Sequence, residues 1–210
     1  MTGTNGPIRV LVADDSPLVC QVLGRLLETD PAVRVIGFAA DGKEAVEKTF
    51  QLRPDLITMD IRMPGMDGLK ATEKIMAYRP TPILIVTSAR DRRGVQVTMD
   101  ALAAGALEVV EKPTLLPDDS WEAMGTSLIE KVKLLAGVKV ITHLKGRSRL
   151  LAGRRRPEER DRPERVVGIG VSTGGPAVLS VILGTLPADF PLGVLIVQHI
   201  SEGFIAGLVE

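Results

Sequence analysis

A single cysteine, Cys20, leaves this 210-residue chain no internal disulfide and fits a reducing compartment. With no His or Cys near it in sequence, Cys20 reads as a filler on a helix flank. The N-terminus lacks a basic stretch followed by an apolar core, so no signal peptide is expected. No apolar run approaches the roughly 20 residues of a spanning helix. The longest lie around Ala177–Leu186 and Leu192–Val197. A cytoplasmic chain without membrane insertion is the expectation. Neither sign of charge is in excess: 26 Lys and Arg face 26 Asp and Glu. Bulk charge therefore points to neither nucleic acid nor membrane. With 45% hydrophobic and 25% charged residues, the chain is an ordinary globular one with room for one or two domains.

What is present begins with alternation. Near-continuous aliphatic runs at Ile8–Ala13, Val33–Ala39, Asp55–Met59, Ile83–Val86 and Leu107–Val110 suit parallel strands covered on both faces. Helical spacing separates them. Ser16-Pro17, a good N-cap with proline at the first helical position, opens the first helix, and Asp30-Pro31 ends it. The second is expected over about Lys43–Leu52, stopped by Arg53-Pro54. The third follows Gly65-Met-Asp-Gly68 and ends before Arg79-Pro80. The fourth covers about Gly94–Ala104 with Gly105 as its C-terminal cap, and the fifth about Trp121–Leu135. Five such units predict an α/β fold with a doubly wound five-stranded parallel sheet.

The pattern then breaks. Residues 139–165 hold ten Lys or Arg and four acids, a local charge of +6 against −6 for the rest. Arg154-Arg-Arg-Pro-Glu-Glu-Arg-Asp-Arg-Pro163 has no apolar residue with which to pack and reads as a solvated linker. Nucleic-acid binding is the alternative, but no aromatic residue in the segment can stack on a base. From Arg165 the alternation restarts: strand Val166–Gly170, a glycine-rich turn, helix Pro176–Leu183, strand Gly193–Gln198, and a helix begun near Gly203. A lone two-stranded unit cannot cover its own apolar faces, so this second α/β domain is expected to be partial. The predicted division is 1–136, a basic linker over 137–164, and 165–210.

Polar residues collect where the predicted strands end. Asp14 and Asp15 follow the first, Asp60 the third, Thr87 the fourth and Lys112-Pro113 the fifth. In a parallel sheet these ends share one edge, where open α/β sheets bind ligands. Crowded carboxylates repel, and hard oxygen donors of this kind suit Mg²⁺. Asp60 could then attack phosphorus as a carboxylate nucleophile, with Thr87 donating to a phosphoryl oxygen and Lys112 supplying positive charge. Each also has an ordinary reading: helix cap for Asp14 or Asp15, turn residue for Asp60, strand end for Thr87, surface lysine for Lys112. Lys112-Pro113 is a candidate cis peptide.

These residues, with Met63-Pro-Gly-Met-Asp-Gly68 and Thr87-Ser-Ala89, make residues 8–135 resemble a response-regulator receiver domain. The resemblance implies a flavodoxin-like fold and phosphotransfer to Asp60 from a sensor histidine kinase. It also implies Mg²⁺ held by Asp15, Asp60, Asp14 through water and the backbone carbonyl of Arg62, with Thr87 as the switch hydroxyl. Val109 stands where many receivers carry an aromatic switch residue.

The second half has its own candidates. Gly170-x-Ser172-x-Gly174 sits between strand and helix at nucleophile-elbow spacing. The following helix would aim its positive end at developing negative charge. His199 follows the next strand, at the same sheet edge as Ser172. A phosphate cradle is the other use of such a glycine-rich turn. Taken with the receiver and the linker, Gly170-Val-Ser-Thr-Gly-Gly-Pro176 and Val197-Gln-His199 resemble the chemotaxis protein-glutamate methylesterase family. Ile200-Ser-Glu-Gly-Phe204 departs from the Met-Pro-Pro-Gly-Phe common there, and Val171 from alanine. The resemblance implies hydrolysis of glutamate methyl esters on methylated chemoreceptors, and deamidation of receptor glutamines. Ser172 would be the nucleophile and His199 the general base, with no cofactor. The family's aspartate lies beyond Glu210, so residues 1–210 alone are expected to be inactive. A non-enzymatic two-component response regulator with a vestigial C-terminal segment is the alternative. A DNA-binding regulator would need a helix-turn-helix, which Val166–Glu210 does not supply.

Overall fold

In the computed structural model, which describes residues 6–88, 99–112, 120–140, 166–172 and 175–198, the aliphatic runs become strands buried on both faces. In β1 (Ile8–Ala13), Val10 and Val12 face one core while Leu11 and Ala13 face the other. That is the two-residue period of a strand with no solvent side. β3 (Leu56–Met59) and β4 (Ile83–Thr87) are buried throughout, whereas β2 (Val33–Ala39) and β5 (Glu108–Glu111) flank them with partial exposure. The sheet is wholly parallel, in the order β2-β1-β3-β4-β5. The edge strand β2 carries a register irregularity opposite Val10 and Leu11, a feature that discourages pairing with a further strand.

Helices cover both faces. α1 (Pro17–Leu27) starts where Ser16 Oγ accepts the Val19 N–H, and it buries Val19, Leu23, Leu26 and Leu27. With α5 (Ser120–Ala136) it closes one core over Val10, Val12, Leu56, Leu84 and Val86. α2 (Gly42–Leu52), α3 (Gly68–Tyr78) and the described part of α4 (residues 99–103) accompany the other core, around Leu11, Ile57, Met59, Ile75 and Ile85. Asp41 and Asp67 cap α2 and α3 by accepting the N–H groups of Glu44 and Lys70, each at 2.8 Å. At the other end of α2, Arg9 donates to the carbonyls of Arg53 (2.9 Å) and Leu52 (2.7 Å), placing a cation at the negative pole of the helix. Gly105 has φ +116° after α4, a conformation that disfavours any side chain.

α1 ends at Leu27, three residues before the expected stop. Thr29 Oγ1 donates to Leu26 O (2.7 Å) and Asp30 Oδ1 accepts the Ala32 N–H (2.8 Å). Short polar side chains thus take over the backbone bonding before Pro31 acts. Beyond α5, Val140 packs against both cores, so the chain stays attached to the sheet past residue 136.

The second unit is a parallel pair, β6 (Val166–Val171) and β7 (Gly193–Gln198), joined through α6 (Gly175–Thr185). Alternate residues of both strands are exposed, including Val166, Leu195 and Val197. This is the uncovered apolar face expected of a two-stranded unit. Residues 94–98 of the expected fourth helix, Pro113, the linker from 141 to 165, His199 and the segment after Gly203 lie outside the described residues. Among the described residues, no helix is long and apolar enough to cross a membrane.

Candidate functional site

The parallel register delivers the strand-end polar residues to one edge. Asp60 follows β3, and its N–H donates to Ala13 O at 2.9 Å, so Asp60 sits beside the end of β1, where Asp14 and Asp15 begin. Lys112 leaves β5 with its N–H on Thr87 O at 3.1 Å, at the end of β4. Oxygen atoms of Asp14, Asp15 and Asp60 all lie within 4.8 Å of one another. Asp14, Asp60 and Thr87 are buried and Asp15 is exposed, so the cluster opens to solvent on the Asp15 side.

Lys112 answers part of the repulsion. Its side chain is only 14% exposed, and Nζ donates to Asp60 Oδ2 at 2.8 Å while lying 2.7 Å from Asp14 Oδ2. The second approach is an ion pair without the angle of a hydrogen bond, and it leaves Asp14 Oδ2 without a hydrogen-bond donor. Asp14 Oδ1 accepts the Ser16 N–H at 3.0 Å, and Asp60 Oδ1 accepts the Ile61 N–H at 2.7 Å. Burial raises the Asp14 pKa above the ordinary carboxylate range, against the lowering effect of Lys112. Burial works against the Lys112 ammonium, but its close pairing with the Asp14 and Asp60 carboxylates outweighs it and holds its pKa above the usual lysine value. The directions agree with one ammonium divided between two carboxylates.

Hard carboxylate oxygens at this spacing, one of them buried without a donor, fit Mg²⁺, which takes few protein carboxylates and keeps waters of its own. Arg62 is exposed in the loop two residues past Asp60. Val109 is buried in β5 and belongs to the core beneath α2 and α3.

Two residues named from sequence gain a place in the pocket that the sequence did not give them. Cys20 lies under the pocket and donates Sγ–H to Asp14 O at 3.3 Å; burial, then the Asp14 charge, pushes its thiol to about 11. Gly68 packs on the backbone of Asp60: a methyl group there would overlap Asp60 O and lie 2.9 Å from its carbonyl carbon. Its N–H donates to Ile61 O at 2.9 Å, tying the start of α3 to the strand end that carries Asp60. In sequence this glycine figures only in the segment before the third helix and in the motif that carries the receiver resemblance.

In the second unit, Ser172 follows β6 and is exposed at the strand end. Val171 pairs with Gln198, the residue before His199 in the chain. The Ser172 carbonyl accepts from Gly175 N at 2.8 Å and from Gln198 Nε2 at 3.1 Å.

Comparison with known proteins adds a consistent set of likenesses. A family model described as "Response regulator receiver domain" matches residues 10–118, and one described as "CheB methylesterase" matches residues 167–210. A protein-glutamate methylesterase/protein-glutamine glutaminase of Nitrosospira multiformis is 44% identical over 207 residues, covering 97% of this chain and 58% of that protein. A similarly named protein of Geobacter metallireducens is 45% identical over 205 residues, covering 97% and 59%. The chain thus spans under two thirds of the curated relatives it matches. Among solved structures, the response regulator domain of Thermotoga maritima CheB is 39% identical with a TM-score of 0.57, covering 63% of this chain and 98% of that one.

Proposed function

The chain belongs to the response-regulator receiver family and continues into a CheB methylesterase segment, and on that premise we propose that Asp60 is the phosphoryl acceptor controlling a chemotaxis methylesterase. The division in this reading is a receiver over 1–136, a basic linker over 137–164 and a methylesterase portion over 165–210. The observation that carries it is the clasp of Lys112 on Asp14 and Asp60 inside a cluster of three carboxylates. A bystander lysine would not be drawn into so buried a position, and a purely structural cluster would not leave the buried Asp14 Oδ2 without a hydrogen bond.

Asp60 acts through one carboxylate oxygen, which forms a bond to phosphorus as the bond to the donor's leaving group breaks. The donor is a sensor kinase phosphohistidine. Thr87, at the end of β4, offers a hydroxyl, and Lys112 turns from a counter-ion of carboxylates into a partner of phosphoryl oxygens. Asp14, Asp15, Asp60 and the Arg62 carbonyl would hold Mg²⁺, which supplies neutralisation of phosphoryl charge when bound. In the second unit Ser172 attacks the methyl ester of a chemoreceptor glutamate, with His199 as base; methanol leaves and water releases the carboxylate. Deamidation of receptor glutamines follows the same course with ammonia leaving. The esterase chemistry uses no cofactor, and the protein works in the cytoplasm on membrane receptors without entering the bilayer. The unphosphorylated receiver covers the catalytic edge, and phosphorylation shifts the population toward an open arrangement.

Incubation with acetyl phosphate and Mg²⁺ tests the pocket directly. Intact mass should rise by one phosphoryl group, and Asp60→Asn should remove the gain. An equally stable gain in Asp60→Asn would overturn the assignment.

A further inference from the structure

Gly175 is a glycine that its backbone does not require. It starts α6 without a left-handed φ, a conformation any residue adopts. Its neighbourhood explains it instead. A methyl group at Gly175 would overlap Gln198 Oε1 and lie 2.7 Å from Cδ and 2.8 Å from Nε2. The missing side chain is the space that the Gln198 carboxamide fills, and Gln198 Oε1 is buried there. From this seat Gln198 Nε2 donates to the Ser172 carbonyl at 3.1 Å, beside the Gly175 N–H on the same oxygen at 2.8 Å.

We infer that Gln198 is a positioning residue for Ser172, docked into the gap left by Gly175 and fixing the turn that presents the hydroxyl. The inference rests on the reading of Ser172 as nucleophile. A carbonyl oxygen has two lone pairs, and here both find donors, so the peptide plane leaving Ser172 is held from two directions. One donor comes from the helix and the other from the end of β7, one residue before His199. Gln198 thus binds the strand that leads to the proposed base to the turn that carries the proposed nucleophile. Loss of such a brace displaces a reacting group without removing it, and displacements of that kind lower turnover more than substrate binding.

The test uses protein expressed from the complete gene and measures methanol release from methylated receptor membranes. Gln198→Met keeps the shape and loses the donor; kcat should fall on the order of tenfold to a hundredfold with KM unchanged. Gly175→Ala should produce the same fall by expelling the carboxamide. Combined with Gln198→Ala, it should cost little more than either change alone, because the shortened side chain on β7 leaves room for the new methyl group. In the 210-residue chain itself, ¹⁵N spectra should show one Gln198 side-chain amide proton shifted by its bond to the Ser172 carbonyl, and the shift lost in Gly175→Ala. Undiminished kcat in Gln198→Met, or multiplicative effects of the two changes, would overturn the positioning role while Ser172→Ala is dead. Turnover that survives Ser172→Ala would instead overturn the esterase reading on which the role depends.

Discussion

The receiver sheet and the β6–β7 pair are built from similar aliphatic strands, yet they keep their side chains in different surroundings. Leu11 in β1 is 0% exposed, with helices on either side of its sheet; Leu195 in β7 is 62% exposed, on a face that no described element covers. Glycine shows the same contrast. A methyl group at Gly68 would meet the backbone of Asp60 and Ile61, whereas one at Gly168 in β6 would meet nothing within 4 Å. Hydrophobic content does not make a core; a second layer does, and among the described residues only the receiver has one on both sides.

The largest difference should come from one substitution made twice. Gly68→Ala should destabilise the receiver by upward of about 4 kcal/mol, since the backbone it would meet cannot retreat as a flexible side chain does. Gly168→Ala should change stability by less than about 0.5 kcal/mol. Urea unfolding of each variant checks this, and equal effects would break the comparison. Next, Leu11→Ala should cost about 3 kcal/mol and Leu195→Ala close to nothing.

Cysteine chemistry sharpens the picture from another side. With its thiol raised from 9.0 to about 11, Cys20 should react with an aromatic disulfide at pH 8 about a hundredfold more slowly in the folded chain than in urea. The difference should shrink as pH rises toward 11, because the folded thiol then ionises. Reaction at the unfolded rate would mean that the core beneath Asp14 is open. The smallest effect is expected from the cation. Mg²⁺ at about ten times its dissociation constant should stabilise the receiver by about 1.4 kcal/mol and leave the β6–β7 unit unchanged. Asp15→Asn should weaken that gain, as read by thermal unfolding with and without chelator.

Much of the fold was legible because period and punctuation agreed. β1, β2, β7 and α3 occupy the expected residues, and each is bounded by proline, glycine or aspartate signals. The strand-end position of Asp14, Asp60, Thr87 and Lys112 was legible for the same reason, since a parallel sheet sends every strand end to one edge. What stayed hidden depended on contacts between distant residues. No local pattern says that one ammonium serves two carboxylates, that Gly68 lies on the backbone of Asp60, or that Gly175 makes room for Gln198. The early end of α1 was hidden differently: Thr29 and Asp30 bond locally, a competition that hydrophobic spacing does not register.

The shared grip of Lys112 has a consequence in simple valence. Three carboxylates against one ammonium leave the pocket with two negative charges, the deficit that a single divalent ion cancels and a monovalent ion cannot. Converting the Asp60 carboxylate into the proposed acyl phosphate dianion would add one negative charge to that neutral set. The two proposed states of the receiver would then differ by one elementary charge at the buried Asp60, and any surface that discriminates between them would have that unit to work with.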